Sequence, residues 1–355
     1  MFKLHPITAK KLKRFRALKR GWWAFLLLML LCVLTMFAEL LVNKRALFVS
    51  HDGHWYFPTY GGFHSGREFG LDYDYEVEYR TLQAKWRTEN SSNWMLMPPI
   101  PWDAYQNDFR DGVQHPQPPD AGHRHFLGTD KIGRDVLARI FYGFRVNMLF
   151  SLGYVVGVYL LGIAAGCTMG YAGGRTDLYG QRLTEIWSLI PFLYMVMIAV
   201  SLLPANVTIT WRIGILLAIM IVFSWTGIAA YLRTVTFKER SRDYVAAADL
   251  LGAPTSRMIF LHVLPNTLST LVTFLPFTVM GSIASLNALD YLAFGLPPPT
   301  PSWGDMLHEG VSTATTAPWI VTASFTAITL VLLLVAFVGE AVRDAFDPKK
   351  FTTYR

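Results

Sequence analysis

The chain has 355 residues, of which 52% are hydrophobic and only 16% charged, against roughly 25% charged residues in an ordinary soluble domain. That balance excludes a soluble globular enzyme and points to a protein that crosses the membrane several times. The net charge of +7 does not indicate nucleic-acid binding. Residues 1–20, MFKLHPITAKKLKRFRALKR, hold eight Lys or Arg and no acid, a distribution that belongs to membrane orientation.

A hydrocarbon core about 30 Å thick needs roughly 20 apolar residues as helix. Six runs meet that length without Lys or Arg: Trp22–Val42, Met148–Gly170, Thr184–Leu203, Ile213–Tyr231, Thr267–Leu289 and Trp319–Gly339. The first follows a basic stretch, but it is too long for a secretory h-region and no A-x-A site follows in TMFAELLVNK, so a retained anchor is expected. Cys32 and Cys167 lie inside apolar runs; a disulfide framework is ruled out and a cysteine metal site is not expected.

Orientation follows from the short loops. With the N-terminus inside, the inner segments hold eight, two, five and four Lys or Arg, while the short outer loops 204–212 and 290–318 hold one and none. Both termini are therefore expected in the cytoplasm. The organisation reads as a basic N-terminus (1–21), a first span (22–42), an outer loop or small cap (43–143) and a core with five further spans (144–355). The 43–143 loop is too long and too rich in Trp, Tyr and Pro for a tether; WYFP at 55 and PPIPW at 98 could be strands or extended segments.

Within the spans, Gly153, Gly157, Gly162, Gly166 and Gly170 form a small-residue face on span two, suited either to packing inside the subunit or to a dimer contact. Pro191 and Pro276 are expected to kink spans three and five. Glu39, Asn287 and Asp290 are polar residues near outer span ends, so Asn287 and Asp290 are candidates to face a transport pathway, with interfacial solvation the plainer reading of Glu39 and Asp290. Six histidines, His51, His54, His64, His115, His123 and His125, fall in the outer loop. Their irregular spacing reads as solvated loop residues, and no metal site is assigned.

The segment with the most local information is YVAAADLLGAPTSRMIFLHVLPN, residues 244–266, within the inner loop 232–266. Asp243 can cap a helix over Tyr244–Leu251, Gly252 can terminate it, and Pro254 can open a second helix that Pro265 ends. Tyr244, Ala247, Ala248 and Leu251 fall at i, i+3, i+4 and i+7, one face of a stub far too short to cross a bilayer. So small a helix is costly to nucleate, and a cytoplasmic partner would hold it.

This segment resembles the cytoplasmic EAA loop of ABC-importer permeases, whose first helix is a coupling helix docked in a groove of the ATPase subunit. The resemblance assigns coupling to Tyr244, Ala247, Ala248, Leu251, Gly252 and Ala253. Ala246 stands where that motif has glutamate, which removes a possible charged contact. HFLGTDKIGRDVLARIFYGFR (125–145), GYAGGRTDLYGQR (170–182), FGLPPPTPSWGDML (294–307) and GEAVRDAFDP (339–348) are similar, in the same order, to segments of dipeptide and oligopeptide permeases. HDGHWYFP at 51 and MPPIP at 97, with the long first outer loop, resemble the Yej-type branch, which imports oligopeptides and the peptide–nucleotide antibiotic microcin C. The resemblance implies the type I ABC importer (MetI-like) fold: all-α, six spans, in the bacterial inner membrane. It also implies the partners: a paralogous permease, one or two ABC ATPase subunits, a periplasmic peptide-binding protein and a peptide substrate. A nickel or other small-solute permease of the same build is the alternative.

No G-x-x-x-x-G-K-[ST] stretch occurs in the sequence, so this chain is not expected to be an enzyme or to bind a cofactor; ATP and magnesium would sit on the partner ATPase. A secondary transporter would need midplane ion-coupling charges and an internal repeat. A membrane-anchored enzyme would need a nucleophile–base pair in 43–143. The sequence offers neither.

Overall fold

The computed structural model describes residues 6–346, apart from 90, 109, 111 and 205; the first five residues of the basic terminus and the last two of GEAVRDAFDP lie outside the described residues. The chain opens with α1 (Pro6–Ala17), α2 (Lys19–Met36) and a short α3 (Ala38–Leu41). An insert follows, with strands β1 (Phe48–His51) and β2 (His54–Tyr56), a single turn α4 (Pro58–Gly61), helix α5 (Tyr79–Thr88) and strand β3 (Trp94–Leu96). The helical core then runs α6 (Val136–Ala172), α7 (Gly174–Ser188), α8 (Phe192–Ser201), α9 (Ile209–Ser224), α10 (Thr226–Arg240), α11 (Asp243–Leu250) and α12 (Thr255–Arg257). It closes with α13 (Leu264–Tyr291), α14 (Trp303–Ser312) and α15 (Pro318–Phe346).

Four of these helices contain stretches long and apolar enough to span a bilayer: Lys19–Met36, Val136–Ala172, Leu271–Tyr291 and Pro318–Phe346. The pairs α7/α8 and α9/α10 qualify together but bend by 72° and 42°, so the crossings number six if each bent pair is one span. The 72° bend falls at Pro191, where the ring forbids helix continuation from the preceding turn. Pro276 lies inside α13, which runs unbroken through it. Leu149, Leu152, Val156 and Leu160 on α6, and Phe325, Leu330 and Leu333 on α15, remain exposed, as lipid-facing or partner-facing residues do when no water surrounds them.

Helix α6 extends about 55 Å and begins well before Met148, crossing the expected boundary at 143/144. Asp135 caps it by accepting a hydrogen bond from the Ala138 N–H at 2.7 Å. The polar side chains of its first turns have partners within the chain, so the helix needs no apolar run to start. The glycine face of α6 packs inside the subunit, against α9 and α10. A Cβ on Gly166 would lie 2.5 Å from the Ala229 carbonyl oxygen, and one on Gly170 would lie 2.5 Å from that of Arg233.

The insert is an ordered α/β cap with its own core, an exception to the otherwise all-α build. Its antiparallel sheet has the order β2-β1-β3, with Val49 opposite Tyr56 and Met95. One sheet face meets α5, burying Val49, Phe69, Tyr79, Leu82, Trp86 and Met95. WYFP enters β2 and the following turn. Ile100 of PPIPW makes an isolated bridge with Val42, fastening the insert to the end of α3.

Candidate functional site

Two sites stand at opposite ends of α6: a polar lock beside the insert and the exposed helix α11 at the far end. Both are built from segments that the sequence singles out.

At the insert end, Arg139 is fully buried one turn into α6. Its Nη1 donates to Asp130 Oδ2 at 2.7 Å and Glu309 Oε2 at 3.2 Å, and its Nη2 to Asp305 Oδ2 at 2.8 Å. Asp130 also accepts from Arg134 Nε at 2.6 Å. The lock therefore joins the loop before α6 to α14, residues 170 positions apart in sequence in the case of Glu309. Trp303 donates its indole N–H to the Ile140 carbonyl at 3.0 Å, and Trp319 to that of Thr129 at 3.0 Å. Gly143 and Gly128 leave room for those rings: a Cβ on either would stand 2.6 to 2.7 Å from an indole atom.

Asn287 and Asp290 belong to this lock's inner side. Asn287 donates to Asn147 Oδ1 at 2.8 Å and to the Ile283 carbonyl at 2.8 Å. Asp290 accepts from the Leu296 N–H at 2.6 Å and the Ser302 hydroxyl at 2.5 Å, which holds the 294–304 loop over the end of α13. Both residues are buried, so Asp290 is not solvated at the interface as its position suggested. Glu39 accepts from Arg145 Nη1 at 2.8 Å, an ion pair between the first span and α6.

His54 and His123 are exposed, as expected of loop histidines, but His125 and His115 depart from that reading. His125 is fully buried, stacked on Trp102 with ring centroids 4.1 Å apart, and bonded through Nδ1 to Asp135 at 2.8 Å. His115 bonds Thr129 and the Asp108 carbonyl. Among the described residues no group of three or more His, Cys, Asp or Glu could hold a metal ion.

At the far end, GYAGGRTDLYGQR turns α6 into α7 through Gly173 (φ +64) and Gly174 (φ +53), conformations that a Cβ disfavours. Asp177 then forks onto Arg233 of α10, with Nη2 to Oδ2 at 2.6 Å. Helix α11 hangs below this junction, between α10 and α13. The residue before it, Arg242, occupies the N-cap position without a side-chain cap bond, and Asp243 is instead the first helical residue. There its carboxylate meets the positive end of the helix.

The C-terminal end of α11 is a Schellman turn. Gly252 (φ +74) donates its N–H to the Asp249 carbonyl at 2.8 Å, and Ala253 donates to that of Ala248 at 3.2 Å. Beyond Pro254 the chain does not stop at Pro265. Helix α12 passes into a π-turn over Met258–Val263, and α13 follows without a gap. The wider π-turn accommodates the N–H that Pro265 lacks.

This arrangement corrects the expectation that so short a helix has too little burial of its own. Val245 is buried against Met258 and Val263, with Tyr171 of α6 and the partly buried Ala248 and Ala253 around them. Each such apolar side chain contributes about 1.5–3 kcal/mol on burial, enough to offset the nucleation cost of two turns. Tyr244 donates its hydroxyl to Glu239 Oε2 at 2.8 Å, tying α11 to α10. Partial burial and that bond raise the Tyr244 pKa above its ordinary value, which keeps the donor proton in place.

The expected face therefore divides. Tyr244, Ala247 and Leu251 point outward, as does Gly252, whereas Ala248 lies about 60° round the helix from Val245 and turns inward with Ala253. The outward face includes Leu250, which the spacing argument missed. Leu250 and Leu251 are 89% and 88% exposed, more than any other leucine of the described chain. The signal for Leu250 was the adjacent Leu-Leu pair itself: with Val245 facing in, neither leucine reaches the buried side of so short a helix.

Comparison with known proteins adds the following. Residues 139–352 match the family model described as binding-protein-dependent transport system inner membrane component. The chain is 38% identical over 350 residues, 99% of each chain, to the inner membrane ABC transporter permease protein YejE of Escherichia coli (strain K12). It is 35% identical over 369 residues to the peptidoglycan transport system permease protein YejE of Agrobacterium fabrum (strain C58 / ATCC 33970), covering 97% of this chain and 94% of that one. It is 34% identical over 227 residues to the oligopeptide transport system permease protein OppC of Bacillus subtilis (strain 168), covering 63% of this chain and 72% of that one.

Proposed function

Because the chain belongs to the family of binding-protein-dependent transport system inner membrane components, a multi-pass MetI-like permease, we propose that it forms one half of the pathway of an ATP-driven peptide importer and that α11 receives the ATPase stroke. The observation that carries the second part is the pair Leu250 and Leu251, almost bare on a helix whose other face is fixed. A groove in an ATPase subunit would cover them. Tyr244, Ala247 and Gly252 complete the docking face, while Ala248 and Ala253 seat it.

The lever follows from connectivity. Helix α11 links the end of α10 to the start of the α12–α13 run and touches Tyr171 at the end of α6. A push on α11 therefore reaches three membrane helices through side chains already in contact. ATP and magnesium bind the partner ATPase, and closure there tilts these helices against the paralogous permease. At the other end of α6 the Arg139 lock keeps the loop 128–135 and α14 moving as one piece. A binding protein delivers peptide on the insert's side, taken as periplasmic because the basic segments lie at the other end; both termini are then cytoplasmic.

Uptake of a labelled hexapeptide by cells carrying the complete transport system tests the reading, with Leu250→Asp/Leu251→Asp as the uncoupled variant at matched expression. Uptake in the wild type and its loss in the variant, together with loss of peptide-stimulated ATPase activity, is expected. Normal uptake in the variant would remove α11 as the coupling element, and absence of peptide uptake in the wild type would remove the substrate class.

A further inference from the structure

The insert contains a cleft of about 750 Å³ between α5 and the segment 97–124, within the size range of small-molecule sites. Its floor is apolar, formed by Met97, Pro101 and Trp102, with the Arg80 guanidinium 3.3 Å over the Trp102 ring. Four arginines line it. Arg80 is neutralised by Glu78 at 2.7 Å and Arg110 by Asp108 at 2.5 Å. Arg87 and Arg124 form no ion pair among the described residues, and both are exposed. Arg124 is held at φ +60, a conformation that costs a bulky L-residue energy, and it donates to the Pro98 carbonyl at 3.3 Å.

Two buried polar atoms of the lining residues also lack partners among the described residues: Arg80 Nη1, a donor, and Gln106 Oε1, an acceptor. Gln106 Nε2 is already committed to Glu78 at 2.9 Å, so the free oxygen is its carbonyl. A second cleft of about 390 Å³ adjoins the first, sharing Gln83 and Arg87 and running along the edge strand β3 at Trp94 and Met95. The groove thus offers an aromatic floor and two guanidinium groups without an ion pair among the described residues, with an unpartnered donor and acceptor buried behind its lining. An extended peptide supplies the matching set: backbone N–H and C=O groups, apolar side chains and one terminal carboxylate that guanidinium forks bind well.

We propose that this groove is a peptide site on the permease itself, in which Arg87 and Arg124 hold the peptide's C-terminal carboxylate. The assignment rests on the peptide-import reading above, and places an acceptor for released peptide at the outer face, apart from the spans. Arg87 and Arg124 are binding residues in it, whereas Glu78 and Asp108 fix the orientation of their own arginines.

The test uses the intact permease with its partner subunits in lipid nanodiscs, without binding protein, and equilibrium dialysis of radiolabelled trialanine against its C-terminal amide. Two exposed charge pairs together are worth about 1 kcal/mol, so the acid should bind about fivefold more tightly than the amide at low salt. Arg87→Gln/Arg124→Gln should reduce the acid's affinity to that of the amide and leave the amide unchanged. Both side chains are exposed, so folding should be unaffected, and retained basal ATPase activity checks this. Equal affinity of acid and amide, no binding of either, or an unaltered preference in the double variant would overturn the site. Uptake of trialanine by cells, measured in parallel, separates the two readings. Uptake without carboxylate selectivity in dialysis leaves peptide import standing and removes the groove; selectivity without uptake leaves the carboxylate site standing and removes the peptide-import reading.

Discussion

Truncating Leu250 and Leu251 to alanine should separate docking from folding. Both side chains are nearly bare, at 89% and 88% exposure, so the permease alone should lose no more than about 0.5 kcal/mol of stability. In the docked state the balance reverses. A leucine whose three outer carbons become buried contributes about 0.8 kcal/mol per carbon, or roughly 2 kcal/mol per residue. That corresponds to about a 30-fold loss of ATPase affinity for either single variant. The neighbours share one groove, so the double variant should fall short of the product of the two. Val245→Ala is the contrasting case, since it opens space beside Met258 and Val263 and should cost the permease itself about 2 kcal/mol. The assay pairs thermal unfolding of the purified permease with recovery of the ATPase subunit on a tagged permease. The leucine variants should unfold at the wild-type temperature and release the ATPase, while Val245→Ala should unfold earlier. Wild-type recovery of the ATPase with both leucines truncated would refute the docking face. Unfolding of the leucine variants as early as Val245→Ala would show that these side chains are structural.

Arg139→Met should destabilise the detergent-purified permease by about 3 kcal/mol in thermal unfolding, because Asp130, itself fully buried, then keeps Arg134 as its one ion-pair partner among the described residues; adding Asp130→Asn should recover part of the loss, and no recovery would mean that the pair is not what holds the lock. Gly166→Leu should prevent close approach of α6 to α10, since even a Cβ would sit 2.5 Å from a backbone oxygen, whereas Gly214→Ala meets nothing within 4 Å and should be neutral or stabilising by up to about 1 kcal/mol; unfolding temperatures that do not distinguish them would contradict the packing. In the insert, burial pushes the carboxyls of Asp108 and Glu76 upward, but the bonds and charges of Arg110, and of Lys44 and Arg45, outweigh it and hold both below their ordinary values. A depressed folded-state pKa contributes stability above the unfolded value of about 4 that is lost as pH falls through the folded one. Protease resistance of the insert should therefore hold at neutral pH and fall below about pH 4, whereas a variant lacking either pair should already be less resistant at neutral pH and change less on acidification.

Much of the fold was legible because membrane spans are written in length and polarity alone. The spans appear where apolar runs occur, and Pro191 marks the sharpest bend. What escaped is what depends on partners distant in sequence. Arg139 fell within the expected outer loop 43–143, and only the arrival of Asp305 and Glu309 makes it a buried lock. Asp290 looked solvated for the same reason, because Ser302 and Leu296 return to it through a loop. Pro265 should have ended a helix by local rules, but a π-turn absorbed it. On α11, periodicity located the helix and placed Tyr244, Ala247 and Leu251 together; it could not say which side the rest of the chain would cover, so it set Ala248 on the exposed face and left Leu250 off it.

Two of the motifs that carried the family resemblance are one physical object at the insert end of the molecule. HFLGTDKIGRDVLARIFYGFR supplies Gly128, Asp130, Arg134, Asp135, Arg139 and Gly143, and FGLPPPTPSWGDML supplies Ser302, Trp303, Gly304 and Asp305. Every one of these residues bonds to, or makes room for, another residue of the lock or its cap. The small residues are as necessary as the charged ones: a Cβ on Gly304 would stand 2.2 Å from the Asn287 carbonyl oxygen. A buried ion cluster of this kind contributes little net stability compared with apolar packing, but breaking it is costly. It therefore favours a single arrangement of α6, α14 and α13 at one end of the molecule. Helix α11 has the opposite construction, seated by a few apolar contacts and two hydrogen-bonded turns with its leucines uncovered. A rigid lock at one end of α6 and a lightly seated helix packed on Tyr171 at the other suit the lever proposed above. In the importer proposed above, motion imposed on α11 would pass through Tyr171 to α6 and emerge at the lock as displacement of a fixed body, where a softer end would absorb it.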